Sequence, residues 1–445
     1  MKKIFKYLLA FIVMIIAFCL ALTITSLVPK KMIIKSVEES SEILDKQTNL
    51  YFITIKNKRI KLKFDNFTDA LMVNTAFSID TKTPFYSAMM ARKNYIDGKT
   101  EIIYPDSTGE LKSASKYEGL NQVGELHDTI NNDITESFEY ARYWHGYLIF
   151  LRPLLIFFNI TEIRTILLIA FAILGLIMLY KIYKKIDLGT AIIFLLGMII
   201  CDYFYIGNSL QGTSVFLIAT IASIILLSRD IKDKLMFFMV IGGITSFFDF
   251  LTVPIVTLGI PLLIYDMIGN KENSTYKKFY LEISKCCICW AVGYLGVWIT
   301  KWILVDLVYN KKLISSVIEQ AKYRTTNSGQ KCRFLDVMIQ NLSIIRLQFF
   351  WALIITIILL VIKIVKIKDL KRIEFNYKEI VIYLCIGCLG IAWYLALKQH
   401  SYQHFFFTYR NLWLISTSVL LSVYNILKIT NKGKITNVEF YMTKR

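Results

Sequence analysis

Asp65 and Asp69 stand four residues apart in Asp65-Asn66-Phe67-Thr68-Asp69-Ala70-Leu71-Met72. On a helix this spacing puts both carboxylates on one face, where mutual repulsion raises one pKa toward the range a general base needs. Asp69, flanked by apolar residues, is the stronger candidate base; Asp65 reads also as the N-cap of the helix that carries both. A second chemistry-bearing stretch is Glu139-Tyr140-Ala141-Arg142-Tyr143-Trp144-His145-Gly146-Tyr147, leading to Arg152-Pro153. Arg142 and Arg152 have the fork geometry to grip phosphate oxygens, with His145 beside them. The third is His400 to Arg410, which sets His400 and His404 four apart ahead of Arg410. Zinc would need a third ligand that the segment does not supply, so no metal is assigned. His400, His404 and Arg410 read as contacts for phosphate or hydroxyl groups, or as an interfacial belt.

These groups must be positioned by a chain built for lipid. Of 445 residues 55% are hydrophobic and 19% charged, and mean hydropathy is +0.50. That balance excludes an ordinary soluble enzyme. The apolar residues gather in runs of roughly 18 to 24, enough at ~1.5 Å per residue to cross a ~30 Å hydrocarbon core. Candidate spans run over Tyr7–Leu27, Ile163–Tyr180, Leu188–Ile206, Thr213–Leu227, Leu235–Phe248, Thr252–Ile268, Cys286–Val305, Leu347–Ile364, Ile380–Leu397 and Leu412–Leu427. The expected fold is an all-α polytopic membrane protein of about ten transmembrane helices with a mixed α/β first extracytoplasmic loop.

The net charge of +19 follows from topology rather than from nucleic acid, which is not an expected partner. Lys181, Lys184 and Lys185, then Arg229, Lys232 and Lys234, then Lys271, Lys277 and Lys278, and Lys366 to Lys378 fall in alternate connections. The opposite short links, around Tyr203–Gly212 and Phe248–Phe250, hold no Lys or Arg. Both termini are therefore expected in the cytoplasm. The richness in Lys, Ile and Asn points to an AT-rich bacterial genome, hence to a bacterial cell membrane. Seven of the eight cysteines lie in or beside apolar runs; Cys385-x-x-Cys388 reads as small packing residues rather than a redox or zinc motif.

Five regions follow: an uncleaved anchor (1–28), a large extracytoplasmic loop (29–141), an interfacial aromatic and arginine segment (142–160), a transmembrane bundle (161–428) and a basic tail (429–445). Within the loop, Ile53-Thr54-Ile55 and Ile60 to Phe64 alternate around Asn57-Lys58 as a hairpin would. A short amphipathic helix follows Asp65, and Gly98, Pro105, Gly109, Gly119 and Gly124 read as loop. The interfacial segment has the make-up of a helix lying in the headgroup layer, the alternative being an aromatic belt with snorkelling arginines.

One anchor, a large first external loop, an arginine-bearing aromatic segment and a bundle of spans resemble the GT-C class of membrane glycosyltransferases. The local matches are Asp69, Arg142 to Tyr147, Arg152-Pro153 and His404-x5-Arg410. The resemblance implies a polyprenyl-phosphate-linked sugar donor drawn from membrane lipid, and an envelope glycan or lipid acceptor. It further implies a carboxylate base in the first loop and basic residues that hold the carrier phosphate. Two other readings stand beside it. Pro254 and Pro261 interrupt one span and Gly242-Gly243 softens another, as in a transporter or flippase. A noncatalytic envelope-assembly protein would use only its helix faces.

Overall fold

The computed structural model describes residues 2–47, 52–55, 58–61, 64–94, 102–105, 111–114, 122–131, 137–269, 276–311, 313–325, 332–365 and 371–431. Gly98, Gly109 and Gly119, the basic residues Lys271, Lys366 and Lys368, and the tail beyond 431 lie outside the described residues.

The first span is helix α1 (Lys2–Ser26), whose Phe18 ring stacks on Phe247 at 4.0 Å. A smaller assembly follows it in chain order: α2 (Lys30–Lys46), strands β1 (Phe52–Ile55) and β2 (Lys58–Lys61), α3 (Asn66–Ser78), α4 (Pro84–Met90), β3 (Lys93–Asn94), β4 (Ile102–Pro105), β5 (Leu111–Ala114), α5 (Gln122–Asn131) and β6 (Ser137–Phe138). The strands pair only as antiparallel ribbons, β1 with β2, β3 with β6 and β4 with β5. Lys58, expected at the turn, pairs with Ile55, and Asn57 lies outside the described residues. Pro105 ends a strand and Gly124 lies inside a helix, where local composition had indicated loop.

A short helix, α6 (Leu148–Leu154), leads into the bundle: α7 (Ile160–Lys185), α8 (Leu188–Ile200), α9 (Thr213–Ser228), α10 (Lys234–Phe248), α11 (Val256–Ile268), α12 (Tyr276–Tyr309), α13 (Leu313–Thr325), α14 (Phe334–Val365), β7 (Lys371–Phe375), α15 (Tyr377–Ala396), α16 (Lys398–Gln403), α17 (Phe405–Thr408), α18 (Leu412–Tyr424) and β8 (Leu427–Asn431). Strand β8 pairs with β7. Each expected span contains a helix, though Thr252–Ile268 becomes helical only at Val256 and Leu412–Leu427 stops at Tyr424, and the chain has the architecture of an all-α multi-pass membrane protein. Among the described residues, six helices are long and apolar enough to cross a membrane. The other four, α9, α10, α11 and α18, have 13 to 16 residues. At ~1.5 Å per residue they cover only ~20–24 Å. By contrast α12 and α14, of 34 and 32 residues, run well past the expected spans, because their polar flanks continue the helix beyond the apolar stretch. Most described residues between 306 and 343, which lie between two expected spans, are therefore helical.

The helix ends carry their own signals. Asn159 and Glu162 close a capping box on α7, which ends in Lys184 and Lys185. Asp187 caps α8, and Asp233 caps α10 while accepting from Tyr7 Oη at 2.7 Å and Lys6 Nζ at 3.2 Å. That pins the start of α1 beside the basic residues Arg229, Lys232 and Lys234. The described residues between 29 and 159, with 201–212, 249–255 and 397–411, gather at the opposite end, termed the loop end. Gly242 and Gly293 let α10 and α12 meet backbone to backbone: a Cβ on Gly242 would stand 2.1 Å from the Trp290 carbonyl oxygen, and one on Gly293 2.0 Å from that of Met239. Gly242-Gly243, read as a softened stretch of a transporter helix, is thus a close-packing surface.

A candidate site at the loop end

Asp65 is the N-cap of α3, its Oδ1 accepting from the Thr68 amide at 3.0 Å. One turn on, Asp69 is fully buried. Its Oδ2 accepts from Arg164 Nη2 at 2.7 Å and Nε at 2.9 Å; its Oδ1 accepts from the Leu210 amide at 2.8 Å and Ser209 Oγ at 3.2 Å. Arg164 comes from the first turns of α7 and also reaches Gln47 Oε1 and Asn66 Oδ1. The Asp69 carboxylate is therefore a structural tie between α3, α7 and the 209–212 segment, with both oxygens engaged.

Asp65 differs. It is 4% exposed, and among the described residues its Oδ2 has no hydrogen-bond partner. Burial, followed by repulsion from Asp69, pushes its carboxyl up to about 6, against the pull of the Thr68 hydrogen bonds and Arg410. Of the two carboxylates it is Asp65, first read as a cap, that has an oxygen available to take a proton. Arg410 sits in a 3-10 turn (Tyr409–Asn411) with its guanidinium beside the Tyr409 ring. Its Nη1 lies 3.9 Å from where a Cβ on Gly212 would stand, and the Tyr409 hydroxyl donates to Asp202 at 2.5 Å. Asp65, Asp69 and Arg410 thus converge, joined by Arg164, Ser209 and Gln211.

An apolar groove of about 480 Å³ leads away from this cluster. One wall is a face of α9 from Thr213 and Ser214 through Leu217, Ile218 and Ile221 to Ile225; α6, α7 and α10 supply the others. Phe150 and Ile221, 60% and 43% exposed, stand at its lip. Its head is formed by Leu210, whose amide binds Asp69, and by Met72, one turn beyond Asp69 on α3.

The other expected site residues lie elsewhere. Arg152 is fully buried in α6 and donates through Nη1 to the Ala76 carbonyl and through Nη2 to that of Val28, which ties α3 to the end of α1. Burial lowers its pKa to about 10. Residues 141–147 form turns, so the interfacial helix begins only at Leu148. His145 takes φ 57° and is enclosed by the rings of Tyr140, Tyr143, Tyr147 and Phe250. Its Nε2 is 2.7 Å from the Tyr140 carbonyl oxygen, and burial depresses its pKa to about 3, leaving a neutral ring. Arg142, half-buried, lies over Tyr140 while its carbonyl accepts from the Trp298 and Trp302 indoles. His400 and His404 lie ring to ring at 4.7 Å, with His400 Nε2 2.9 Å from the Leu251 carbonyl oxygen. Among the described residues no third ligand joins them.

Arg164, Ser209, Gln211 and the α9 groove were not singled out from the sequence. A lone arginine just inside an apolar run was the available signal for Arg164, since such a charge is costly without a partner. Comparison with family models, curated proteins and solved structures yields no match.

Proposed function

We propose that this protein is a membrane-integral glycosyltransferase, with the loop end outside the cell and both termini in the cytoplasm, that moves a sugar from a polyprenyl-phosphate carrier to an envelope acceptor. The observation that carries the reading is the lipid-edge groove whose head abuts a buried cluster of Asp65, Asp69, Arg164 and Arg410. The carrier's hydrocarbon lies along α9. Its phosphate meets Arg410, which stabilises negative charge as the sugar–phosphate bond breaks. Asp65 Oδ2 takes the proton of the acceptor hydroxyl as that oxygen attacks the anomeric carbon in line, with inversion. Asp69 and Arg164 hold the loop and bundle in register. The test is a profile of lipid-linked and cell-surface glycans with and without the protein. A missing surface sugar with build-up of its lipid-linked form supports transfer, whereas an unchanged profile refutes it.

Translocation of a lipid phosphate is the second reading, favoured by the short helix α9, whose apolar face is left open to lipid. It predicts that Asp65→Asn leaves function intact.

A further inference from the structure

Gln211 sits between the two halves of the polar cluster. Ser209 and Leu210 before it are bound to Asp69, its own amide donates to Ser209 Oγ at 3.3 Å, and Gly212 after it borders Arg410 Nη1. Its main chain is thereby held, yet its side-chain Oε1 is enclosed and, among the described residues, without a donor. Asp65 Oδ2, in the field of the same Arg410, is a second enclosed oxygen in that condition. A buried acceptor left unmatched costs on the order of 1–3 kcal/mol, and such groups in native folds call for a specific partner. Two orphan acceptors in a cluster that also holds the Arg410 guanidinium match a ligand that presents hydroxyl donors next to an anionic group. Neither Gln211 nor Asp65 lines the apolar groove, which begins beside them at Leu210 and Thr213, so the partner of these oxygens belongs to the headgroup rather than the tail.

We infer that Gln211 is a specificity-determining residue that accepts a hydrogen bond from a hydroxyl of the sugar while Arg410 meets the attached phosphate. The inference rests on the transferase reading and adds a residue that reads the transferred group. It is tested on the full chain in lipid nanodiscs with two probes, farnesyl phosphate and farnesyl-phosphoryl-glucose. Wild-type protein should prefer the glucosyl ester. Gln211→Leu, which removes the carbonyl at similar volume, should weaken the ester about three- to tenfold, the worth of one neutral hydrogen bond, and leave farnesyl phosphate unchanged. If the leucine variant does not fold, Gln211→Asn decides, since its shorter arm should weaken the ester alone. Equal loss for both probes makes Gln211 a structural residue, and no loss for either makes its oxygen a water site; each overturns the inference while the transferase reading stands. Wild-type protein that binds neither probe overturns both.

Discussion

Asp69 and Arg164 lie 95 positions apart in the chain and meet at 2.7 Å in the interior, joining the large loop to α7, the first helix of the bundle. Removing one partner strands a buried charge, at a typical cost of about 3–5 kcal/mol. Asp69→Leu or Arg164→Met alone should therefore lower stability by about that much, and the double variant should recover a substantial part. Denaturation of the four proteins in detergent measures the coupling; strictly additive losses would mean that the pair carries no coupling.

Burial and the neighbouring Asp69 decide how Asp65 titrates. With its folded pKa pushed up to about 6, transfer should rise with pH through about 6 and level off above it. Asp65→Asn should abolish that limb and lower the rate on the order of 10²–10⁴-fold.

Stability follows the same shift with the reverse sign. The folded pKa of about 6 exceeds the unfolded value of ~3.9, so ionising Asp65 costs the folded state about 3 kcal/mol as pH rises between those two values. Asn also caps helices well, so Asp65→Asn should be more stable than wild type near pH 8 and lose that advantage near pH 4. Melting curves at the two pH values check this; an unchanged difference would assign Asp65 an ordinary pKa.

Arg152 and Arg410 should separate cleanly. Arg152→Met removes donors from two main-chain carbonyls and should destabilise the protein without changing the affinity of its folded fraction for farnesyl phosphate. Arg410→Met should weaken that affinity roughly tenfold or more, as expected for a charge-assisted hydrogen bond. Binding isotherms for the two variants would reverse if Arg152 were the phosphate ligand.

The groove offers a steric test. Ile218→Trp places a large ring across the face of α9 and should weaken lipid-phosphate binding while leaving the Asp69–Arg164 tie and the melting temperature close to wild type. Unaltered binding would put the hydrocarbon chain elsewhere.

What could be read from the chain alone was whatever a local sum determines. Burial of apolar side chains over about twenty consecutive residues locates α1, α7 and α15, and Lys184-Lys185 against the uncharged 203–212 link orders their ends. The N-cap role of Asp65 was legible for the same reason, since the cap bond spans three residues. Tertiary packing decided the rest. The spacing of Asp65 and Asp69 placed both on one face but not which of them is held, because the groups that engage Asp69 come from Arg164, Ser209 and Leu210, up to 141 positions away. Arg152 and His145 have side chains suited to phosphate, and only the fold shows one tied to carbonyl oxygens and the other enclosed by rings. The groove left no trace in the sequence, since α9 is largely apolar on every face. Which of its faces stays open depends on where α6, α7 and α10 stop covering it. Hydrophobic burial has no direction of its own, so the sequence can place a helix in lipid without saying which side of it will receive a ligand.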